Sequence, residues 1–269
     1  MSSSKSYKWP HRAIGLAQSM PRNWFGQQIA QIIRKLVVPK LELPIVCRID
    51  SLNFEFHLLD NSSERKYLFM PWRFDRIERE RLVKDLPTDG VFVDIGANVG
   101  IYTLFVASHM GASGRVIAFE PHPGAHQRLM RNIELNADTV AAEISVLQLG
   151  VADKEDSFNL TMDADDLGCS SLVAGTGTQV EVKCKPLLAV LESLGIEKIH
   201  SLKIDIEGAE DVALTPFFEE APPTMFPDVI VIENSDDVWK TDLSALIRKS
   251  GYTLILKNRM NSVYQLDQK

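Results

Sequence analysis

The sequence predicts a doubly wound α/β sheet with helices on both faces, preceded by an extension of different character. Three observations predict it. From Val91 onward, short apolar β-rich runs alternate with helix-patterned segments, the signature of parallel strands covered on both sides. The 269 residues, 45% of them hydrophobic, suffice for one large domain with an appendage and need no covalent staples. The charge is also split. Before Asp50 stand eight basic residues (Lys5, Lys8, Arg12, Arg22, Arg34, Lys35, Lys40 and Arg48) against the single acid Glu42, giving +7, so a chain of net −7 carries −14 in its remainder. The natural division is an extension over 1–87 and a cofactor-binding domain over 88–269.

In chain order, the serine-rich start is expected to be disordered, and the fold begins near Pro21. Over 24–37 the residues Phe25, Ile29, Ile32, Ile33 and Leu36 recur at helical spacing until Pro39 stops the helix. Phe54, Phe56 and Leu58 alternate with polar neighbours as in a half-buried strand, and a polar turn over 60–63 follows. A helix over 77–86 ends at Pro87, and Asp89-Gly90 turns the chain into the main pattern. Strands are expected at 91–95, 116–119, 144–149, 202–206 and 229–232, with helices at 100–109, 123–135, 187–194 and 209–218. A last helix over 243–249 is closed by Gly251, and 252–256 with 263–266 form a terminal antiparallel hairpin.

Composition narrows the function. A net charge of −7 argues against nucleic-acid binding, which draws on clustered lysine and arginine. No apolar run reaches the roughly 18 residues of a membrane span, and the start lacks the order of a secretory signal. Cys47, Cys169 and Cys184 are odd in number and widely spaced, without a Cys-x-x-Cys pair, so a reducing cytoplasm fits best.

The chemistry concentrates in VFVDIGANVG, where a strand ends in Asp94 and small residues open a helix. Ligands of open α/β sheets sit outside the carboxyl ends of the strands. Gly96 and Gly100 would admit a ligand close to the backbone, and Asn98 tolerates a left-handed conformation. Glu120, twenty residues past Gly100, can accept hydrogen bonds from two ribose hydroxyls. A dinucleotide fingerprint needs G-x-G-x-x-G to seat a pyrophosphate. Here the spacing is G-x-x-x-G, and Asp94 would repel a diphosphate while accepting from an ammonium. S-adenosylmethionine, which carries an ammonium and a sulfonium, meets those terms. The ordinary alternative is a plain strand-to-helix turn.

In LKIDIEGAE, Asp205 ends a buried run, and Glu207 and Glu210 open a helix, where acids can simply complement the dipole. Glu233 and Asn234 end the next apolar run. A carboxylate, Asp205 or Glu207, can serve as general base toward a hydroxyl. Alternatively Asp205, Glu233 and Asn234 would hold Mg²⁺, a weaker pattern because three oxygen ligands occur often without a metal. The Ser/Gly/Thr-rich stretch over 163–179 joins two strand-like runs, 158–160 and 180–182, and reads equally as a lid carrying Ser170 and Ser171 or as a solvated connection. His122 and His126 read as surface residues. The helix bearing Trp24, Phe25, Arg34 and Lys35 reads first as packing on its own core or as a dimer contact, and second as lying on an anionic membrane surface.

DIGANVG, AFEPHP, SSL, LKIDIEGAE and IEN, in this order, resemble the FkbM-type methyltransferase family over roughly 89–234. The resemblance implies a Rossmann-like seven-stranded sheet whose last strand runs antiparallel between its neighbours, and O-methylation of a hydroxyl on a sugar, polyketide or related metabolite. It places Asp94, Gly96, Ala97, Asn98, Gly100, Glu120, Pro121 and Ser171 at cofactor positions, and Asp205 and Glu207 at the catalytic mouth. The first forty or so residues lie outside this resemblance and leave the acceptor open. Two other readings compete: a nicotinamide-dependent oxidoreductase, disfavoured by the glycine spacing, and a cofactor-binding interaction module without catalysis.

Overall fold

The computed structural model describes residues 8–162 and 178–267. Contacts divide the chain into two compact units, Met1–Arg76 and Ile77–Lys269.

In the first unit, α1 (Lys8–Gln18) packs on α2 (Trp24–Val37), and both pack on α3 (Ser62–Phe69). The α1 helix lies before Pro21, earlier than the sequence patterning suggested, and buries Pro10, Ile14 and Ala17. Asn23 caps α2 by accepting from Gly26 N, supplying one of the acceptors a helix start lacks. A hairpin of β1 (Ile45–Ile49) and β2 (Leu52–Phe56) buries Leu52, Phe54 and Phe56, and the Phe54 ring meets Tyr67 edge-on at 5.3 Å. The segment expected to be a polar turn after β2 instead starts α3. Asn61 accepts from Glu64 N, and the buried Glu64 carboxylate accepts from His57 N and Leu58 N at 2.6 and 2.9 Å.

The second unit starts with α4 (Arg76–Lys84) and is built on a seven-stranded sheet. Its parallel strands are β3 (Val91–Ile95), β4 (Arg115–Phe119), β5 (Glu143–Leu147), β9 (Ser201–Ile204) and β10 (Val229–Glu233). The terminal hairpin of β11 (Tyr252–Lys257) and β12 (Asn261–Leu266) completes it in the order β11-β12-β10-β9-β3-β4-β5. The last strand therefore lies between β10 and β11 and is antiparallel to both, as the family resemblance implied. Helices α5 (Ile101–Ala107), α6 (Pro123–Glu134), α7 (Leu187–Ser193), α8 (Glu210–Glu220) and α9 (Leu243–Lys249) connect the strands, and the apolar continuity of β3, β4, β9 and β10 matches their burial along nearly their whole length. The largest core cluster runs from Val93 and Ile117 through Leu202 and Ile230 to Phe217 and Phe226.

A small second sheet was only half legible. The runs around Phe158 and Val182 are antiparallel strands β7 (Asp156–Met162) and β8 (Thr178–Lys185), and β8 also pairs in parallel with the two-residue β6 (Gly150–Val151). Residues 163–177, with Ser170 and Ser171, lie outside the described residues.

Candidate cofactor and catalytic site

The chain runs from β3 outward through β4 to β5, then returns to add β9 and β10 on the other side of β3. That reversal puts a crevice at the carboxyl ends of β3 and β9, where ligands of open α/β sheets bind. Asp94, Glu120, Asp205 and Glu233 all stand at this edge, each at or just past the end of its strand.

The loop after β3 takes its shape from three left-handed residues: Gly96 (φ 76), Asn98 (φ 51) and Gly100 (φ 88). Asparagine at 98 is thus the substitute for glycine that its short polar side chain allows. The two glycines, however, are not clearing room for a ligand. A Cβ on Gly96 would stand 2.0 Å from the Asp205 carbonyl oxygen, and one on Gly100 would stand 2.4 Å from Leu129 Cδ1. Their positive φ and the chain's own packing require them. The loop's donors are also committed. Gly96 N and Ala97 N both donate to Phe119 O at 3.0 and 2.9 Å, Asn98 N donates to Glu120 Oε2 at 2.7 Å, and Gly100 N donates to Ala97 O at 2.9 Å. Amides spent in this way cannot form the anion-binding nest that a pyrophosphate needs.

Asp94 is fully buried and accepts from Thr103 Oγ1 at 2.6 Å through Oδ2, while Oδ1 has no hydrogen-bond partner among the described residues. Burial raises its pKa, against the pull of Lys203 and Thr103. Glu120 is 6% exposed, and its Oε1 accepts from His122 N at 2.8 Å. Burial pushes its carboxyl up to about 7, with the two backbone donors and Lys203 opposing and Asp94 adding to the rise. The two acids therefore feel one another across the same crevice.

Lys203 was missed by sequence reasoning. It pairs in register with Asp94 on the neighbouring parallel strand, and its ammonium donates to Gly96 O at 2.9 Å. It stands 3.9 Å from Asp94 Oδ1, 3.4 Å from Asp205 Oδ2 and 5.3 Å from the centre of the Tyr102 ring. Burial works to lower its pKa, but Asp205, Asp94 and Glu233 outweigh it, so the net shift is upward and the cation persists. The available signal was a lysine inside an otherwise apolar strand.

Beyond β9, Glu207 (φ 55) and Gly208 (φ 97) make a left-handed turn that places Glu207 outward. Glu210 is wholly buried and does more than complement the helix dipole. Its Oε1 accepts from Ile206 N at 2.9 Å and Gly208 N at 3.3 Å, and its Oε2 accepts from Trp239 Nε1 at 2.8 Å. The carboxylate clamps the turn to the 234–242 loop, where Val238 lies against Gly208. Asp205, Glu207 and Glu233 offer carboxylate oxygens within 4.8 Å of one another. Burial and the charges of Asp205, Glu207 and Glu210 push Glu233 up to about 9.

The structure does not bring Asn234 into that group. Its Nδ2 donates to Asn258 O at 2.8 Å and its Oδ1 accepts from Ser262 Oγ at 2.6 Å, which ties it to the terminal hairpin. His122 is not a surface residue: it is 2% exposed, and its Nδ1 caps α6 by accepting from Gly124 N and Ala125 N at 3.0 and 3.2 Å. His126 and Pro121 are half-buried, and Ser171 lies outside the described residues.

The donor set suits S-adenosylmethionine. Each Glu120 oxygen keeps a lone pair for a ribose hydroxyl after its one backbone bond. The unpartnered Asp94 oxygen and the Asp205 carboxylate favour a cationic ligand over a diphosphate.

Comparison with known proteins agrees. The model of the methyltransferase FkbM domain matches residues 94–246. Methyltransferase sdnD of Sordaria araneosa is 29% identical over 203 residues, covering 64% of this chain and 77% of that protein. 31-O-demethyl-FK506 methyltransferase FkbM of Streptomyces tacrolimicus is 27% identical over 223 residues, covering 72% and 84%. AMB antimetabolite synthetase AmbE of Pseudomonas aeruginosa is 24% identical over 261 residues, which are 81% of this chain but 12% of that protein.

Proposed function

The chain belongs to the FkbM methyltransferase domain family, and from that premise we propose that it methylates a hydroxyl oxygen of a sugar, polyketide or related metabolite. It is an S-adenosylmethionine-dependent methyltransferase; the acceptor is the part proposed. The observation that carries the oxygen reading is Asp205. Its side chain is 41% exposed at the strand tips, whereas Asp94 and Glu120 are buried. A hydroxyl needs its proton removed as it attacks, and a reachable, fixed carboxylate is suited to take it. The relative from Streptomyces tacrolimicus, whose name specifies a 31-O-demethyl substrate, supports an oxygen acceptor.

When bound, the cofactor would supply an electrophilic methyl on a sulfonium, the sulfur–methyl bond breaking with its electron pair to sulfur and leaving the neutral thioether S-adenosylhomocysteine. The chain's own residues would do the rest. Glu120 holds the ribose hydroxyls, and Asp94 faces the cationic end. Lys203 orients Asp205, and Asp205 accepts the hydroxyl proton while the new carbon–oxygen bond forms. Glu233, protonated up to about pH 9, adds no second negative charge beside Asp205 at neutral pH. Glu207, exposed at the rim, is placed to contact the acceptor.

A Mg²⁺-assisted route is less well supported. Asn234 is engaged elsewhere, and the Lys203 ammonium already stands 3.4 Å from Asp205, where it competes electrostatically with a divalent ion. The test is incubation of a metabolite extract with the protein and deuteromethyl-labelled S-adenosylmethionine, read by mass spectrometry. A labelled ether whose formation drops about 100-fold or more in Asp205→Asn supports the reading. A labelled amine would overturn the oxygen assignment.

A further inference from the structure

In the first unit, among the described residues, α1 and α2 leave an apolar stripe exposed. On α2, Phe25, Ile32 and Leu36 are 64%, 58% and 61% exposed, and Trp24 is 71% exposed. Residues 25, 32 and 36 fall on one face at 3.6 residues per turn. The opposite face carries the buried Gly26, Ala30 and Val37. The α1 helix repeats the pattern: Trp9 and Leu16, 43% and 53% exposed, lie seven residues apart and away from the buried Ile14 and Ala17. An aliphatic residue left exposed singly is ordinary, but two helices that each align large apolar side chains, with Trp9 in one row and Trp24 flanking the other, form a surface with a use.

Charge decides what that surface fits. Neither helix contains an acid, and the stripe is edged by basic residues: Arg12 on α1, Arg22 just before α2, and Lys35 in its last turn. A two-fold contact with a second copy would set these cations against their own counterparts, with no acid in either helix to meet them. A lipid surface with anionic headgroups offers both complements, an apolar layer for the stripe and negative charge for its rim. Tryptophans, apolar in the ring and polar at the indole N–H, favour that boundary. We propose that α1 and α2 dock this chain on an anionic lipid surface, lying in the headgroup plane with Phe25, Ile32 and Leu36 inserted and Trp24 at the flank of that face.

The full chain is mixed with phosphatidylcholine vesicles, with and without phosphatidylglycerol, and followed by co-sedimentation and tryptophan emission. Expected is partition to the anionic vesicles alone, with a blue shift in emission and binding that weakens as salt rises. Phe25→Glu/Ile32→Glu should reduce partition at least about tenfold, and Lys35→Glu at least about fivefold. All these side chains are exposed, so both variants should keep the wild-type circular dichroism and the wild-type stabilisation by S-adenosylhomocysteine. Absence of partition by the wild type, or equal partition to neutral and anionic vesicles, overturns the proposal. So does light scattering that shows a dimer which Phe25→Glu/Ile32→Glu turns into a monomer, because the stripe would then be a self-association face.

Discussion

Removing the Glu210 carboxylate tests how the catalytic turn is held. Glu210→Ala leaves Ile206 N and Trp239 Nε1 without the acceptor they reach at 2.9 and 2.8 Å, and Gly208 N without a longer one at 3.3 Å. A buried donor that loses its partner costs about 1–3 kcal/mol, and the longest bond counts for little. The expected loss is therefore about 4 kcal/mol of unfolding free energy, a large share of the ~5–15 kcal/mol of an ordinary domain. Activity should fall further than stability explains. Glu207 holds a left-handed φ of 55, and freeing the turn lets it relax and shift the adjoining Asp205. Misplacement of a reacting group by about 1 Å costs on the order of 100-fold. Glu210→Gln is the sharper probe: its amide oxygen can keep the turn, but its NH₂ then faces the Trp239 N–H, donor against donor. Adding Trp239→Phe should recover part of the stability lost by Glu210→Gln, although alone it costs about 1 kcal/mol. Urea unfolding gives the stability, and kcat measured beside S-adenosylhomocysteine affinity separates turnover from cofactor binding. Full turnover and an unchanged midpoint in Glu210→Ala would refute this reasoning.

Other outcomes follow from the same geometry. Gly96→Ala should abolish cofactor binding and lower Tm sharply, because its Cβ would meet the Asp205 carbonyl at 2.0 Å; Gly100→Ala, which meets only the flexible end of Leu129, should be milder in calorimetry. Lys203→Met leaves the buried Asp94 charge without its cation and should cost about 3–5 kcal/mol. In a double-mutant cycle by urea unfolding, Asp94→Asn should recover part of that loss. Burial raises Glu120 from 4.5 to about 7, so the native state holds a proton that the unfolded chain has released. Its contribution to stability is present below pH 4.5 and is lost as pH rises through about 7, on the order of 3 kcal/mol. Glu120→Gln should remove that slope from a series of unfolding curves. Methyl transfer should survive treatment with a chelator; loss of activity restored by Mg²⁺ would favour the metal route.

Much of the parallel sheet was legible because strands buried on both faces read as continuous apolar runs, and the acids ending them mark the carboxyl edge. What escaped was set by contacts distant in sequence. The Asp94–Lys203 pair depends on register between strands more than a hundred residues apart, and the clamp by Glu210 depends on where Trp239 comes to rest. The reasons for Gly96 and Gly100 were likewise hidden, since their neighbours Asp205 and Leu129 are distant along the chain. Local signals also misled. Asn61 read as a turn residue, but the same polar side chains that favour turns also cap helices, and the aromatic cluster of Phe54 and Tyr67 decided for α3. His122 looked exposed because its cap on α6 cannot be seen without the helix.

Titration calorimetry with S-adenosylhomocysteine, on the wild type and on Glu120→Ala, tests the shared cofactor crevice most directly. The account expects one site in the wild type, at least about tenfold weaker binding in Glu120→Ala, and no heat with NADH. Binding of NADH with none of S-adenosylhomocysteine, or equal affinity in the two proteins, would contradict it.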